Sequence, residues 1–301
     1  MCIRDRANIA LVKDGSGALT LSGANKYAGG TTITGGTLIA GGTSAFGTGA
    51  VALGNGAILD LASLAVTNTL SNHGGTLIHA DAFTGNQTLD GTSSYTGSVG
   101  GALQVAAGGV VKGDGATFIG PANFDAGAIH APGNSPGLQS FGGGLGYAAG
   151  SHLEWELVAN TAALADRGTL YDAIDVFTGS LSVDPASLLD LVFNSAGSTV
   201  DWSDTFWSVQ HSWLLIDASS AGTSTGIFSL GSVGTDSTGA ALASVRPNAT
   251  LTVARNGSNL LVEYGVVAVP EPGTISLAAI GAAVAVIGAL RQRKSRSRRQ
   301  G

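Results

Sequence analysis

The chain has 301 residues, of which 47 are Gly, 44% are hydrophobic and only 11% are charged. So much apolar material with so little charge excludes a disordered chain, and the 7 Pro, with no Gly triplet period, exclude collagen. The net charge of −6 divides into −13 over residues 7–274 (19 acids, 6 bases), +6 over 291–301 and +1 over 1–6, so the body will not hold nucleic acid by neutralising phosphates.

In chain order, the first segment is the hexapeptide MCIRDR (1–6), which has the look of a gene-model artefact and is set aside from the fold. The only cysteine, Cys2, lies in it. One cysteine leaves neither a disulfide framework nor a cysteine zinc site. From residue 7 a repeat begins. Gly, a small residue and an aliphatic one recur at Gly17-Ala18-Leu19, Gly36-Thr37-Leu38, Gly56-Ala57-Ile58 and Gly75-Thr76-Leu77, in steps of 19, 20 and 19 residues. Each triplet opens an alternating run such as GALTLSG or GTLIAGG, the pattern of a strand with one face on a core. A second short strand falls within each step, as in TTITGG (31–36). Gly-turned rungs of this length predict an all-β fold, a right-handed parallel β-helix over 7–150. Leu19, Leu38, Ile58 and Leu77 are then expected in one interior column, with rungs about 4.8 Å apart. Later triplets, at Gly101, Gly115 and Gly127, keep the form with irregular spacing.

The stretch GSGALTLSGANKYAGGTTITGGTLIAGG (15–42) resembles the autotransporter-associated β-strand repeat of bacterial surface passengers. HAPGNSPGLQSF, SHLEWELV and LYDAIDVFTGSLSV are similar to the downstream part of such passengers. The resemblance implies an exported β-solenoid. That family usually ends in an outer-membrane barrel, and this chain ends otherwise.

From Ser151 the strands lengthen, all four Trp appear and the repeat can no longer be counted. Residues 151–268 read as a β-rich region that either continues the solenoid or caps its end, since an open rung is an exposed sheet edge. Chemistry is sparse along the whole body. The five His (73, 79, 130, 152, 211) show no metal-ligand spacing. His211, with Asp204, Ser208 and Asp217 near it in sequence, sits in an alternating strand whose outward face explains these neighbours better than a triad does. Glu154 and Glu156 share one strand face and form the pair a glycoside hydrolase would need, although a solvated edge explains them too. Asp166, Asp172 and Asp175 form a dense acidic group without the calcium-binding nonapeptide. The expectation is no catalytic residue, no cofactor and no metal. Sequons at Asn86, Asn248 and Asn256 mean little in a protein of bacterial type.

The last segment, 269–301, has a fixed order of parts. Pro270-Glu271-Pro272 keeps the chain extended and ends the preceding strand. Ile275 to Leu290 is sixteen residues without charge, about 24 Å as a helix, against a hydrocarbon core of about 30 Å. Arg291, Arg293, Lys294, Arg296, Arg298 and Arg299 follow, the cluster that the positive-inside rule places in the cytoplasm. This order resembles the PEP-CTERM sorting signal. The resemblance implies recognition of Pro270, Glu271 and Pro272 by an exosortase, a transmembrane helix over 275–290 that holds the inner membrane transiently, and cleavage near the motif. Such a protein is expected to open with an apolar export signal; ANIALV, interrupted by Asn8 and ended by Lys13, supplies none, so a truncated gene model is expected.

The sequence therefore reads as a non-enzymatic, exported protein of the cell surface or extracellular matrix, structural or adhesin-like, with exosortase and extracellular polysaccharide as partners. Two alternatives stand beside it. One is a β-helix lyase or hydrolase acting on polysaccharide, against which residues 7–150 offer just three basic side chains, Lys13, Lys26 and Lys112. The other is a permanently anchored adhesin in which Pro-Glu-Pro is only a linker.

Overall fold

A computed structural model of the chain describes residues 9–134 and 136–266. All of these except Val266 fall in one compact unit, Met1–Gly265.

The unit is a stack of short parallel strands. One ten-stranded sheet runs its length, from Leu11–Lys13 through Thr31–Ile33, Val51–Leu53 and Leu70–Asn72 to Ser180–Val183 and Thr223–Thr225. Its neighbours lie one turn apart in sequence: Leu11 pairs with Thr31, Thr31 with Val51, and Val51 with Leu70. A second face is formed first by a four-stranded sheet (Ala18–Leu21, Thr37–Ala40, Ile58–Asp60, Thr76–Ile78). A six-stranded sheet from Thr92–Ser94 to Ser229–Val233 then takes over. A third face is loop in the early turns and becomes a seven-stranded sheet from Ser98–Val99 onward. The result is a parallel β-solenoid.

Alternation in the sequence becomes alternation of burial. In Val51–Leu53 the outer two side chains turn inward, and in Thr37–Ala40 Leu38 and Ala40 do. Stacked rungs place these residues in continuous columns such as Ile33, Leu53, Asn72, Leu89, Val105, Phe124 and Tyr147. The one amide in that column, Asn72, is fully buried and satisfied locally: it accepts from the Gly74 and Gly75 amides and donates to the Gly75 carbonyl and Ser93 Oγ.

One member of the expected column is corrected. Leu19 pairs with Leu38, but Leu38 pairs with Leu59, and Leu59 with Leu77. Ile58 instead pairs with Thr37 and Thr76 and is only half-buried. The cause is one extra residue in that turn. Ala57, which the triplet aligns with Thr37, turns wholly inward and pushes the ladder on by one. Leu19 is only partly buried, whereas Leu21 of the same strand is fully buried. The irregular triplets also have a plain cause: Leu103, Thr117 and Ile129 begin strands on three different faces.

The parallel ladders cross Ser151 without a break. His152 pairs with Leu188 and Leu188 with Ser229, while Leu145 pairs with Leu181. The turns are longer there because two excursions, 157–172 and 193–210, leave the stack and return. The second carries Trp202 and Trp207, which bury with Trp155 and Trp213 in one aromatic cluster, edge to face at Trp155–Trp213 and Trp202–Trp207 and tilted at Trp207–Trp213. The third face then closes in the opposite sense. Asn259–Val266 pairs antiparallel with His211–Asp217, and Ala249–Asn256 lies outside it. The region thus continues the solenoid and then caps it.

Candidate functional site

The acidic candidates gather at one notch on the second face. In His152–Glu156, Leu153 and Trp155 point inward, and His152, Glu154 and Glu156 outward. Asp172 arrives at the end of the first excursion and is buried. One carboxylate oxygen accepts from the Gly137 amide at 2.8 Å and the other from the Glu156 amide at 2.9 Å. Its carbonyl accepts from the Trp155 indole at 2.8 Å. Burial, above all, raises the Asp172 carboxyl well above the usual range, and the charges of Glu156 and Glu154 add to this against the two amide bonds. Lys112, Pro132 and Asn134 complete the notch, which holds about 90 Å³. Ligand pockets usually run to about 300 Å³ or more. Both oxygens of the unusual carboxyl are also already spent on the backbone. The arrangement ties the excursion to the strand. Asp166 and Asp175 are engaged elsewhere, Asp166 with the Thr161 hydroxyl and Asp175 with Arg167 at 2.6 Å. Among the described residues no group of three His, Cys, Asp or Glu side chains is placed to hold a metal ion.

The His211 candidates have separate partners. His211 Nε2 donates to the Phe206 carbonyl at 2.6 Å, and its ring stacks on Phe206 with centroids 3.7 Å apart. Asp204 caps the short 3-10 turn Thr205–Ser208 by accepting from the Phe206 amide at 2.7 Å. The Ser208 hydroxyl donates to the Thr205 carbonyl, and Asp217 accepts from the Ser219 amide. No nucleophile is set on His211 by these bonds; those of Asp204, Ser208 and His211 stiffen the turn that carries Trp207.

Two histidine arrangements escape a linear reading. His130 is fully buried between rungs. Its Nε2 donates to Gln139 Oε1 at 2.8 Å, Gln139 Nε2 donates to the Gly113 carbonyl, and the Tyr147 hydroxyl donates to His130 Nδ1 at 2.5 Å. Every bond is made with the imidazole neutral, and burial lowers its pKa to about 4. On the surface, His73–Asp90 (2.6 Å), His79–Asp60 (2.8 Å) and His152–Asp190 (2.6 Å) each join neighbouring rungs. Stepping by one rung would have found the first two pairs, 17 and 19 residues apart; the excursion 157–172 puts His152 and Asp190 38 residues apart.

The expected sorting residues, Pro270, Glu271 and Pro272, with the span 275–290 and the basic residues Arg291, Arg293, Lys294, Arg296, Arg298 and Arg299, lie outside the described residues. Among those described, no helix is long and apolar enough to cross a membrane. The last described strand ends at Val266. Beyond it, residues 268–294 match the PEP-CTERM protein-sorting motif. The chain carries a PEP-CTERM sorting signal. The match includes Pro270, Glu271, Pro272, Arg291, Arg293 and Lys294, and it implies recognition by an exosortase and export to the cell surface or beyond. At the other end, residues 11–40 match the passenger-associated-transport-repeat, and they contain the first two strands of the ten-stranded sheet. No curated protein matches the chain.

Proposed function

We propose that this chain is a non-enzymatic, exported β-solenoid, wound right-handed, that works as a structural or adhesin-like element of the cell surface or extracellular matrix. A precursor spans the inner membrane through residues 275–290, with residues 291–301 held in the cytoplasm. An exosortase cuts near Pro270–Pro272 and releases or transfers the folded body. The sorting match beginning at residue 268, two positions after the final strand, carries this reading.

The outward surface of the ten-stranded sheet supports a matrix role. Its central ladder runs from Val12 through Thr32, Ala52, Ser71, Thr88, Gln104 and Asn123 to Thr225 without one charged side chain. In a body at −13, this is a long uncharged strip, mostly of hydroxyl and amide groups, suited to neutral polysaccharide. The sorting reading is tested by mass spectrometry of the mature C-terminus in a host with an exosortase, beside a Glu271→Ala variant. The mature protein should end close to Pro272 and the variant should keep its tail. Intact QRKSRSRRQG on mature surface protein would favour the permanent anchor.

A further inference from the structure

The protein keeps its aromatic rings inside, with one exception. Of the 9 Phe, 5 Tyr and 4 Trp, only Phe177 is exposed, at 40%. It follows the strand Ala173–Val176 on the third face. Phe118 pairs there with Phe141, and Phe141 with Val176. The ladder runs on by one residue, since the Gly142 amide donates to the Phe118 carbonyl and the Phe177 amide to the Phe141 carbonyl. Ile119, Gly142 and Phe177 therefore stack in one outward column, and Ile119 is exposed as well.

The ring has a seat. Gly142 does not take positive φ, so its backbone would accept a side chain. Space is what excludes one: a Cβ at Gly142 would lie 2.6 Å from Phe177 Cζ and 2.9 Å from Cε2. The Thr178 hydroxyl donates to the Gly142 carbonyl and ties the two turns together beside the ring. The flank of the ring is polar. Asp175 pairs with Asp217 on the next rung. Arg167 donates to Asp175 at 2.6 Å and to the Ile174 and Leu214 carbonyls. Bonds from Ser219, and after them the Arg167 charge, hold the Asp217 carboxyl below its ordinary value against its partial burial, so it is ionised at neutral pH.

Phe177, Asp175, Asp217, Ser219 and Ser220 line a cleft of about 190 Å³. This is the room of about six waters, less than an enclosed ligand needs and enough for one ring of a chain lying across the surface. The chemistry of the lining selects that ring. The negative face of an aromatic ring receives the weakly positive C–H groups of a sugar. An ionised carboxylate and two hydroxyls receive its hydroxyl groups. Two carboxylates beside one guanidinium repel an acidic chain.

We propose that Phe177, Asp217, Ser219 and Ser220 form a binding site for one sugar ring of a neutral polysaccharide, its apolar face on the aromatic ring and its hydroxyls on the carboxylate. The site lies on a different sheet from the uncharged strip, and it rests on the matrix reading for the class of its ligand.

The test is affinity electrophoresis of the full chain, in a sugar-free detergent, through gels holding dextran, laminarin or polygalacturonate. Dextran or laminarin should retard the protein and polygalacturonate should not. Phe177→Ala, Phe177→Leu and Asp217→Asn should each weaken the retardation by about tenfold, with thermal midpoints unchanged. Leu keeps the apolar contact and loses the flat ring, so wild-type binding by Phe177→Leu would overturn the stacking. Binding that survives all three changes and disappears with Gln104→Arg would move the ligand to the ten-stranded sheet, which overturns this site and leaves the matrix reading. Binding of octalysine in place of the glucans, lost with Asp217→Asn, would replace the sugar by a cationic ligand and overturn the proposal. Retardation by neither glucan would remove the site and the polysaccharide role together.

Discussion

His130 should make the solenoid acid-sensitive below its unfolded pKa. The ring is sealed among Phe124, Phe141 and Tyr147 and is fully hydrogen-bonded only when neutral. Its pKa falls from 6.5 to about 4 on folding, so between those values the unfolded chain binds a proton that the folded chain refuses. The contribution is complete above pH 6.5 and is lost as pH falls below it. At about 1.36 kcal/mol per pH unit the full loss is roughly 3.4 kcal/mol, and at pH 4.5 it is already about 2.6 kcal/mol. Asp172 works in the opposite sense, since its raised carboxyl favours the folded state as pH falls. The carboxylates held low, such as Asp190 and Asp217, lose their contribution only below the ordinary value of 3.8. A comparison with His130→Gln cancels these background terms, because Gln can donate and accept in the same place without titrating. Urea denaturation of a protein comprising residues 7–268, followed by tryptophan fluorescence from pH 8 to 4.5, gives the stability difference between the two. That difference should move toward the variant by about 2–3 kcal/mol as pH falls. A difference that stays flat across the window would refute the reasoning.

Leu59→Ala should cost about 2–5 kcal/mol in the same denaturation assay, and Ile58→Ala no more than about 1.5 kcal/mol, because only Leu59 stands in the interior column. Gly101→Ala should be far worse than Gly56→Ala. Both have φ above +70°, but a Cβ at Gly101 would sit 1.9 Å from the Gly85 carbonyl oxygen, whereas nothing lies within 4 Å of one at Gly56. The first should prevent a stable rung and the second should cost about 1 kcal/mol, read as thermal midpoints. The same purified protein should leave acidic and neutral polysaccharides unchanged. Product release that disappears with Glu154→Gln or Glu156→Gln, measured by chromatography, would restore the lyase or hydrolase alternative.

The period of the scaffold is legible in the sequence because turn and strand obey one local rule. A Gly able to take positive φ opens each short alternating run, and one face of that run must be apolar. The rule fails at Ile58, where a single inward Ala changes the register, since period-2 alternation carries no memory of turn length. It fails again beyond Ser151 for a different reason. The strands there still stack rung on rung, but the excursions 157–172 and 193–210 separate stacked partners, so Leu181 and Ser224 meet in space with no countable step between them. Glu154 and Glu156 were legible as a shared face. That Asp172 would bury beside them and give both oxygens to backbone amides was not, because those amides belong to Gly137 on an earlier turn and to Glu156 itself.

The two ends of the molecule are therefore encoded differently, and this explains where function can be read. A sorting signal is legible along the chain: Pro-Glu-Pro, an apolar run and a basic cluster are matched through composition and order along one line, so the line is enough. A surface on a solenoid is read across the line. Its neighbours are residues one rung apart, as in His73 with Asp90 or Ser71 with Thr88, and their identity follows only once register is known. The groove beside the last two strands is of the second kind. Gln210 and Ser212, Thr250 and Thr252, and Glu263 come from three segments, and only the antiparallel pairing brings them to one groove, so no reading along the line could have assembled it.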